Sequence, residues 1–229
     1  MTRRQEFVKR TFDVMVSSTA LVLLSPLLAL IALAIRLDSQ FESAVFFRQQ
    51  RLGRHGSLFK LYKFRTMFQG APDIRNSDGS SFNSAHDERV TRVGAFLRST
   101  SLDELPQLFN ILIGQMSLVG PRPDLVDQAQ YYSGDEWRRN LVKPGITGLA
   151  QTSGRNSISW AARKQIDLEY VANQSIRLDL KILLRTIPCV LRTRDIHGSY
   201  PPVTEERASE VQPEPVSEPI SESVMEFAR

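Results

Sequence analysis

The stretch LVLLSPLLALIALAIRLD, residues 21–38, sets a Ser-Pro pair in the middle of the one long apolar run of this chain. No charged residue occurs from Val14 to Ile35, which is 22 positions, and a straight helix of that length is about 33 Å long, enough to cross a bilayer. Pro26 argues against straightness. It has no N–H for the carbonyl of Val22 and its ring presses on that carbonyl, so a kink is expected. The Ser25 hydroxyl is within reach of the Leu21 or Val22 carbonyl and can satisfy a group that the proline frees inside lipid.

Both flanks of the run are basic. Arg3, Arg4, Lys9 and Arg10 precede it, and Arg36, Arg48, Arg51, Arg54, Lys60, Lys63 and Arg65 follow it. If basic flanks stay cytoplasmic, both ends belong on the same side, which a re-entrant helix allows and a spanning one does not. The single cysteine, Cys189, is compatible with either side of a membrane. Read from the residues alone, a re-entrant helix and an ordinary kinked transmembrane helix both remain open. A cleaved signal peptide fits less well, because the run exceeds the usual ~7 to 15 apolar residues, although Ala32-Leu33-Ala34 is a formal small-residue site.

The 229-residue chain leaves about 160 residues for one globular body once the apolar run and a polar tail are set aside. The net charge of +4 hides an asymmetry: residues 201–229 hold seven Glu and two Arg, so the tail carries −5 and residues 1–200 carry +9. A basic body beside a membrane segment suits anionic lipid headgroups or a phosphate-bearing substrate. The cations are spread among motifs rather than gathered on one helix, which counts against nucleic acid. The tail also holds five of the twelve prolines, and its composition predicts disorder.

After the apolar run, apolar residues 44–47, the Gly53 and Gly56 turn, and the alternating segment 59–65 predict two short strands. Alternation puts Lys60 on one face with Tyr62, and Lys63 with Arg65 beside it, as either a solvated face or a cationic platform for phosphates. Residues 70–86, rich in Gly, Ser, Asn and Asp, read as a mobile loop and a candidate lid. The chemistry concentrates in residues 97–125, LRSTSLDELPQLFNILIGQMSLVGPRPDL. Ser101 and Glu104 have capping-box spacing, and Leu105, Leu108, Phe109 and Leu112 have helical spacing, with Pro106 an alternative helix start. An acidic pair at a helix N-terminus is most often cap and dipole stabilisation.

Its neighbours suggest more. Arg98 lies five residues before Asp103, Pro121-Arg122-Pro123 holds a guanidinium in a fixed direction, and the glycine-rich segment 143–156 adds Lys143 and Arg155. Adjacent carboxylates among such cations point to metal-assisted phosphoryl transfer. Residues 176–187 carry an apolar stripe that fits a surface helix or one lying in the bilayer interface, and a strand is also compatible. His55, His86 and His197 lack metal-ligand spacing, and Trp137 and Trp160 are candidates for either interfacial anchoring or core packing.

KRTFDVMVSS (9–18), SPLLALIALAIRLDS (25–39), VFFRQQRLGRHGSLFKLYKFRTM (45–67), the 97–125 segment and KPGITGLAQTSGRN (143–156) closely resemble the bacterial sugar transferase family, the monotopic phosphoglycosyl transferases. The resemblance extends over about residues 7–195 and keeps the family's order of motifs; the chain is similar to the small members that initiate exopolysaccharides. It implies a helix-rich mixed α/β catalytic domain over 39–199 on the cytoplasmic face of the bacterial inner membrane. A re-entrant membrane helix over 1–38, broken at Ser25 and Pro26, precedes it, and interfacial amphipathic helices accompany it; the disordered acidic tail over 200–229 lies outside the resemblance.

The same resemblance implies that Asp103 attacks a UDP-sugar, releasing UMP and leaving a phosphosugar on the aspartate, which undecaprenyl phosphate then accepts. Glu104 with Asp103 would hold Mg²⁺, and Arg98, Arg122 and Arg155 would bind phosphate or nucleotide, with Lys143, Lys63 and Arg65 as further substrate-binding cations. Galactose or glucose is the implied sugar, galactose favoured on likeness, and a homodimer the implied assembly. A reading from a different class is a catalytically silent adaptor whose basic face binds membrane lipid and whose acidic tail recruits a partner.

Overall fold

The computed structural model describes residues 1–39, 44–76, 78–84, 86–154 and 158–191. Arg155, His197 and the acidic tail lie outside the described residues. Helix α1 (Arg3–Leu23) meets α2 (Ser25–Asp38) at a 61° bend. The bend falls where the sequence places it: Pro26 opens α2, and the Ser25 hydroxyl donates to the Val22 carbonyl at 2.8 Å. No single described helix is long and apolar enough to cross a membrane, although the bent pair together has the length and composition.

The first half of α1 is stitched into the body by charge. Arg10 donates to the Ile111 and Leu112 carbonyls at 2.6 and 2.8 Å, capping α4 (Gln107–Leu112) at its C-terminus, where a cation also complements the helix dipole. Buried Asp13 accepts from the Leu118 N–H at 3.1 Å. Lys9 reaches Asp179 at 2.5 Å and the Val119 carbonyl at 3.1 Å, and Tyr170 donates to the same Asp179 at 2.7 Å. Farther along, Ile31 and Ile35 of α2 pack on Phe64 and Leu97, while Leu30, Leu33 and Leu37 stay exposed.

Strands β1 (Phe46–Leu52) and β2 (Leu58–Phe64) form the expected antiparallel hairpin, with Phe46 opposite Phe64 and Leu52 opposite Leu58. Its turn uses left-handed backbone at His55 and Gly56 (φ 55° and 73°), the latter a position that suits glycine. Buried Asn110 of α4 locks onto β2: its side chain accepts from the Tyr62 N–H at 3.0 Å and donates to the Lys60 carbonyl at 2.7 Å. Helix α3 (Arg92–Thr100) lies against Thr66, so closely that a Cβ on Gly94 would come within 2.0 Å of the Thr66 carbonyl oxygen.

Two short parallel strands, β3 (Ser117–Val119) and β4 (Gly145–Thr147), form the second sheet. Its close approach requires glycine at both Gly120 and Gly145, since a Cβ on Gly145 would lie 2.1 Å from the Gly120 nitrogen. Helices α5 (Leu149–Ser153), α6 (Trp160–Ala172) and α7 (Ile176–Leu191) complete the described chain. The open choice over residues 176–187 resolves as helix: Ile182 is buried in the main core with Phe59, Leu61, Ile111, Met116 and Tyr170, while Leu180, Leu184 and Ile187 face out. Trp160 is a core residue, buried with Leu52, Ala129 and Tyr132.

The loop over residues 70–86 is held where the structure describes it. Arg75 pairs with Asp127 at 2.9 Å, and Gln128 donates to the Gly79 carbonyl at 3.0 Å. Asp179→Ala would leave the Lys9 ammonium buried without its carboxylate, so it is expected to lower stability by about 3–5 kcal/mol. Thermal melting of the detergent-solubilised protein beside Leu180→Ala, a change at an exposed side chain, checks this; an equal, small effect in both would refute it.

Candidate active site

The sequence expectation of a capping box at Ser101 fails for a specific reason. Ser101 takes a left-handed conformation (φ 59°) and closes α3, its N–H bonding to the Leu97 and Arg98 carbonyls, and its side chain makes no cap bond. A non-glycine residue in that region is strained by about 1 kcal/mol or more. The turn redirects the chain, so Asp103 and Glu104 sit in a 3₁₀ turn (Leu102–Glu104) ahead of α4, with Pro106 as the residue before the helix. They face inward, and Asp103 is only 7% exposed.

Two cations from different elements meet this pair. Lys63, on β2, lies 2.7 Å from Glu104 and 3.5 Å from Asp103. Alternation explains its direction, since it shares a hairpin face with buried Phe59 and Leu61. Arg122 donates to Glu104 at 2.7 Å. Burial pushes the Asp103 carboxyl up from its ordinary range, opposed by Lys63 and reinforced by the Glu104 charge. For Glu104, burial is overcome by Arg122 and Lys63, which hold it well below the carboxylate range. The adjacent acids therefore differ: Glu104 is fixed as an anion between two cations, and Asp103 remains basic enough to attack or to take a proton.

Arg122 is held by its backbone. Each carbonyl from Pro121 to Asp124 accepts from another part of the chain: Pro121 from the Gly145 N–H (2.9 Å), Arg122 from Arg139 (3.0 Å), Pro123 from Arg51 (3.1 Å) and Asp124 from the Leu52 N–H (3.0 Å). Arg139 is buried and also pairs with Asp124 and with Asp167 (2.5 Å). Asp124 accepts further from Tyr132 (2.7 Å) and from the Trp160 ring N–H (3.2 Å). Burial pushes Asp167 up to about 6 against the pull of Arg139. Arg51 is lowered to about 10 by burial and by the nearby Arg122 charge.

The remaining candidate cations are distributed unequally. Arg98 donates to the Thr66 hydroxyl at 3.1 Å and faces Asp87 at 3.8 Å; burial lowers its guanidinium while Asp103 and Asp87 raise it, which places it within electrostatic reach of the nucleophile candidate. Arg65 turns the other way and donates to the Ala44 carbonyl at 2.8 Å. Lys143 sits beside Gly114 and Arg10, on the α1 side, where burial and the Arg10 charge lower it. Of the cations flanking Asp103 and Glu104, then, Lys63 and Arg122 make contact, Arg98 stands nearby, and Arg65 and Lys143 are elsewhere.

Sequence reasoning missed Arg51, Asp124, Arg139 and Asp167. Only Asp124 carried a local signal, directly after Pro-Arg-Pro; the others reach this place through tertiary contacts. As for a cation, no described group of three or more His, Cys, Asp or Glu side chains forms a protein cage. Two adjacent carboxylates, one of them not fully engaged, nevertheless suit Mg²⁺, which takes one or two carboxylates and completes its shell with water and substrate phosphate.

Comparison with known proteins identifies the family. The family model described as bacterial sugar transferase matches residues 4–193. The chain belongs to the bacterial sugar transferase family. This transferase is 41% identical over 209 residues to the undecaprenyl-phosphate galactose phosphotransferase of Salmonella typhimurium, a match covering 86% of the chain and 43% of that relative. It is 43% identical to the exopolysaccharide production protein ExoY of Rhizobium meliloti, covering 84% of the chain and 88% of the relative. The UDP-glucose:undecaprenyl-phosphate glucose-1-phosphate transferase of Klebsiella pneumoniae is 46% identical, over 78% of the chain and 39% of the relative. The transferase thus spans less than half the length of the Salmonella and Klebsiella relatives and most of the Rhizobium one.

Arg139→Met would leave Asp124 and Asp167 buried without their shared cation. It is expected to cost about 3–5 kcal/mol, with Arg139→Lys recovering only part because an ammonium cannot span both carboxylates and the Arg122 carbonyl at once. Denaturant or thermal unfolding of both variants checks the order; a Met variant as stable as the parent would contradict it.

Proposed function

We propose that this transferase moves a hexose 1-phosphate, galactose or glucose, from a UDP-sugar to undecaprenyl phosphate, the membrane step that opens exopolysaccharide assembly. The observation that carries this reading is the buried Asp103 beside Glu104, with Lys63 and Arg122 fixed on Glu104. The activities for which the Salmonella and Klebsiella relatives are named supply the substrate class.

Asp103 attacks the β-phosphorus of the donor through a carboxylate oxygen. The bond from that phosphorus to the bridging oxygen breaks and UMP leaves, so the sugar phosphate remains on the aspartate. The acceptor phosphate then displaces Asp103 and forms the polyprenyl diphosphate sugar. Mg²⁺ bound at Asp103 and Glu104 would screen the diphosphate from the attacking anion. Arg122, aimed by its clamped backbone, and Arg98 orient phosphate oxygens, and Lys63 keeps Asp103 ionised.

The bent α1–α2 pair acts as a re-entrant membrane helix, which leaves the catalytic body on the cytoplasmic side where UDP-sugars are made. A silent adaptor would have no use for a buried carboxylate pair bracketed by cations.

Purified protein given UDP-galactose or UDP-glucose, Mg²⁺ and a polyprenyl phosphate is expected to release UMP, and Asp103→Asn to lower that rate by about a thousandfold or more. A variant retaining most of the rate would remove Asp103 from the chemistry, and no release by the parent with any UDP-sugar would favour the adaptor. The pH profile offers a second check. Asp103 must be ionised to attack, so the rate falls as pH drops through its raised pKa. Lys63 favours the ionised form, so Lys63→Met is expected to shift that acid limb to higher pH. An unmoved limb would show that Lys63 does not tune the nucleophile.

A further inference from the structure

A second cationic site lies at the open end of the β1–β2 hairpin. Where α2 ends, a cleft of about 640 Å³ is lined by Arg36, Arg48, Arg65, Phe46 and Phe47, together with Ala44 and Val45. Arg36 stands in the last turn of α2, where the apolar run stops, so the cleft opens at the depth of the bilayer headgroups if α2 enters the membrane. Phe46 and Phe47 are 44% and 40% exposed there, an arrangement that costs free energy in water and suits a hydrocarbon chain.

The charges of this cleft are handled differently from those of the catalytic site. Lys63 and Arg122 are ion-paired with Glu104. Arg48 instead lies over the Tyr62 ring, 5.5 Å from its centroid, and Arg65 spends its Nε–H on the Ala44 carbonyl; among the described residues neither meets a carboxylate. Both keep guanidinium N–H groups available on a surface rimmed by aromatic rings. The hairpin register also connects the two sites, because Phe47, in the cleft wall, is the partner of Lys63, which touches Asp103 and Glu104.

We propose that this cleft binds the phosphate and first isoprene units of the polyprenyl phosphate acceptor before transfer. The identity of that acceptor rests on the reading under Proposed function. Charge decides between it and a bulk anionic phospholipid. A phosphate monoester carries about −1.5 to −2 near neutral pH, and a phosphodiester headgroup carries a single phosphate charge. The guanidinium forks of Arg48 and Arg65, which meet no carboxylate among the described residues, match the monoester, which also exposes three oxygens for bidentate contact. The cleft and the acidic pair adjoin through the hairpin, since Phe47 in the cleft wall is the cross-strand partner of Lys63, which contacts Asp103 and Glu104.

The test is equilibrium binding of a fluorescent short-chain polyprenyl phosphate to the full chain in nonionic detergent, with no donor present. Arg48→Ala/Arg65→Ala is expected to weaken binding at least about tenfold, a shift two lost charge-assisted contacts readily produce. Arg48→Lys/Arg65→Lys is expected to recover part of it. Arg138→Ala, which removes an exposed cation on another element, is expected to leave binding unchanged. Should the double Ala variant melt early, Arg48→Glu alone replaces it, since this reverses one charge without touching the Arg65–Ala44 bond. Unchanged affinity in a folded variant overturns the assignment. So does loss of binding to phosphatidylglycerol vesicles with binding of the polyprenyl phosphate intact, which would make this a bulk lipid site. Because binding is read without donor, failure here and failure of the covalent mechanism are separate results.

Discussion

Two prolines around Arg122 leave residues 121–124 with few N–H groups of their own, so this segment cannot hold itself in place by regular backbone bonding. The protein fixes it from outside. Four carbonyls in a row are bound by β4, by Arg139, by the Arg51 side chain and by β1. The hairpin, the second sheet and the 3₁₀ segment over Gly134–Leu141 are thus all tied to one short loop. The guanidinium that this loop carries is aimed at Glu104 by a rigid frame, so little entropy remains to be lost when it meets a phosphate.

The same frame explains why the two acidic residues behave differently. Glu104 faces Arg122 and Lys63 together and cannot easily lose its charge, while Asp103 is buried with only the longer Lys63 contact. A strained left-handed Ser101 is what turns both into the interior. Strain at that joint and burial of charge beside it both oppose stability, and the ion pairs of Arg139 and the contacts of α1 offset part of that cost. The α1 contacts also couple the bent helix pair to the rest of the body, since Lys9, Arg10 and Asp13 bind β3, α4 and α7 directly.

Much of this was legible in the sequence, and the reasons differ by element. The break at Ser25 and Pro26 and the hairpin over residues 46–64 follow from local rules: a ring without an N–H, and alternation between glycine turns. The Asp-Glu pair and Pro-Arg-Pro stood out because their residue types are unusual together. The capping box at Ser101 was misleading because spacing alone does not reveal a left-handed backbone. Arg51, Arg139 and Asp167 were invisible because they act over separations of 17 to 72 residues, where no periodicity connects them. Trp160 joined the core because the Asp124 carboxylate accepts its ring N–H in the interior.

The most direct test of the central claim is the intact mass of the detergent-solubilised, Mg²⁺-loaded protein after incubation with UDP-galactose or UDP-glucose and no acceptor, beside Asp103→Asn. The account predicts a hexose-phosphate adduct on the parent with at least one donor, its transfer on addition of polyprenyl phosphate, and no adduct on the variant. UMP release in the presence of acceptor without any adduct on the parent would contradict it, because transfer would then be direct and the basicity of Asp103 would have another purpose.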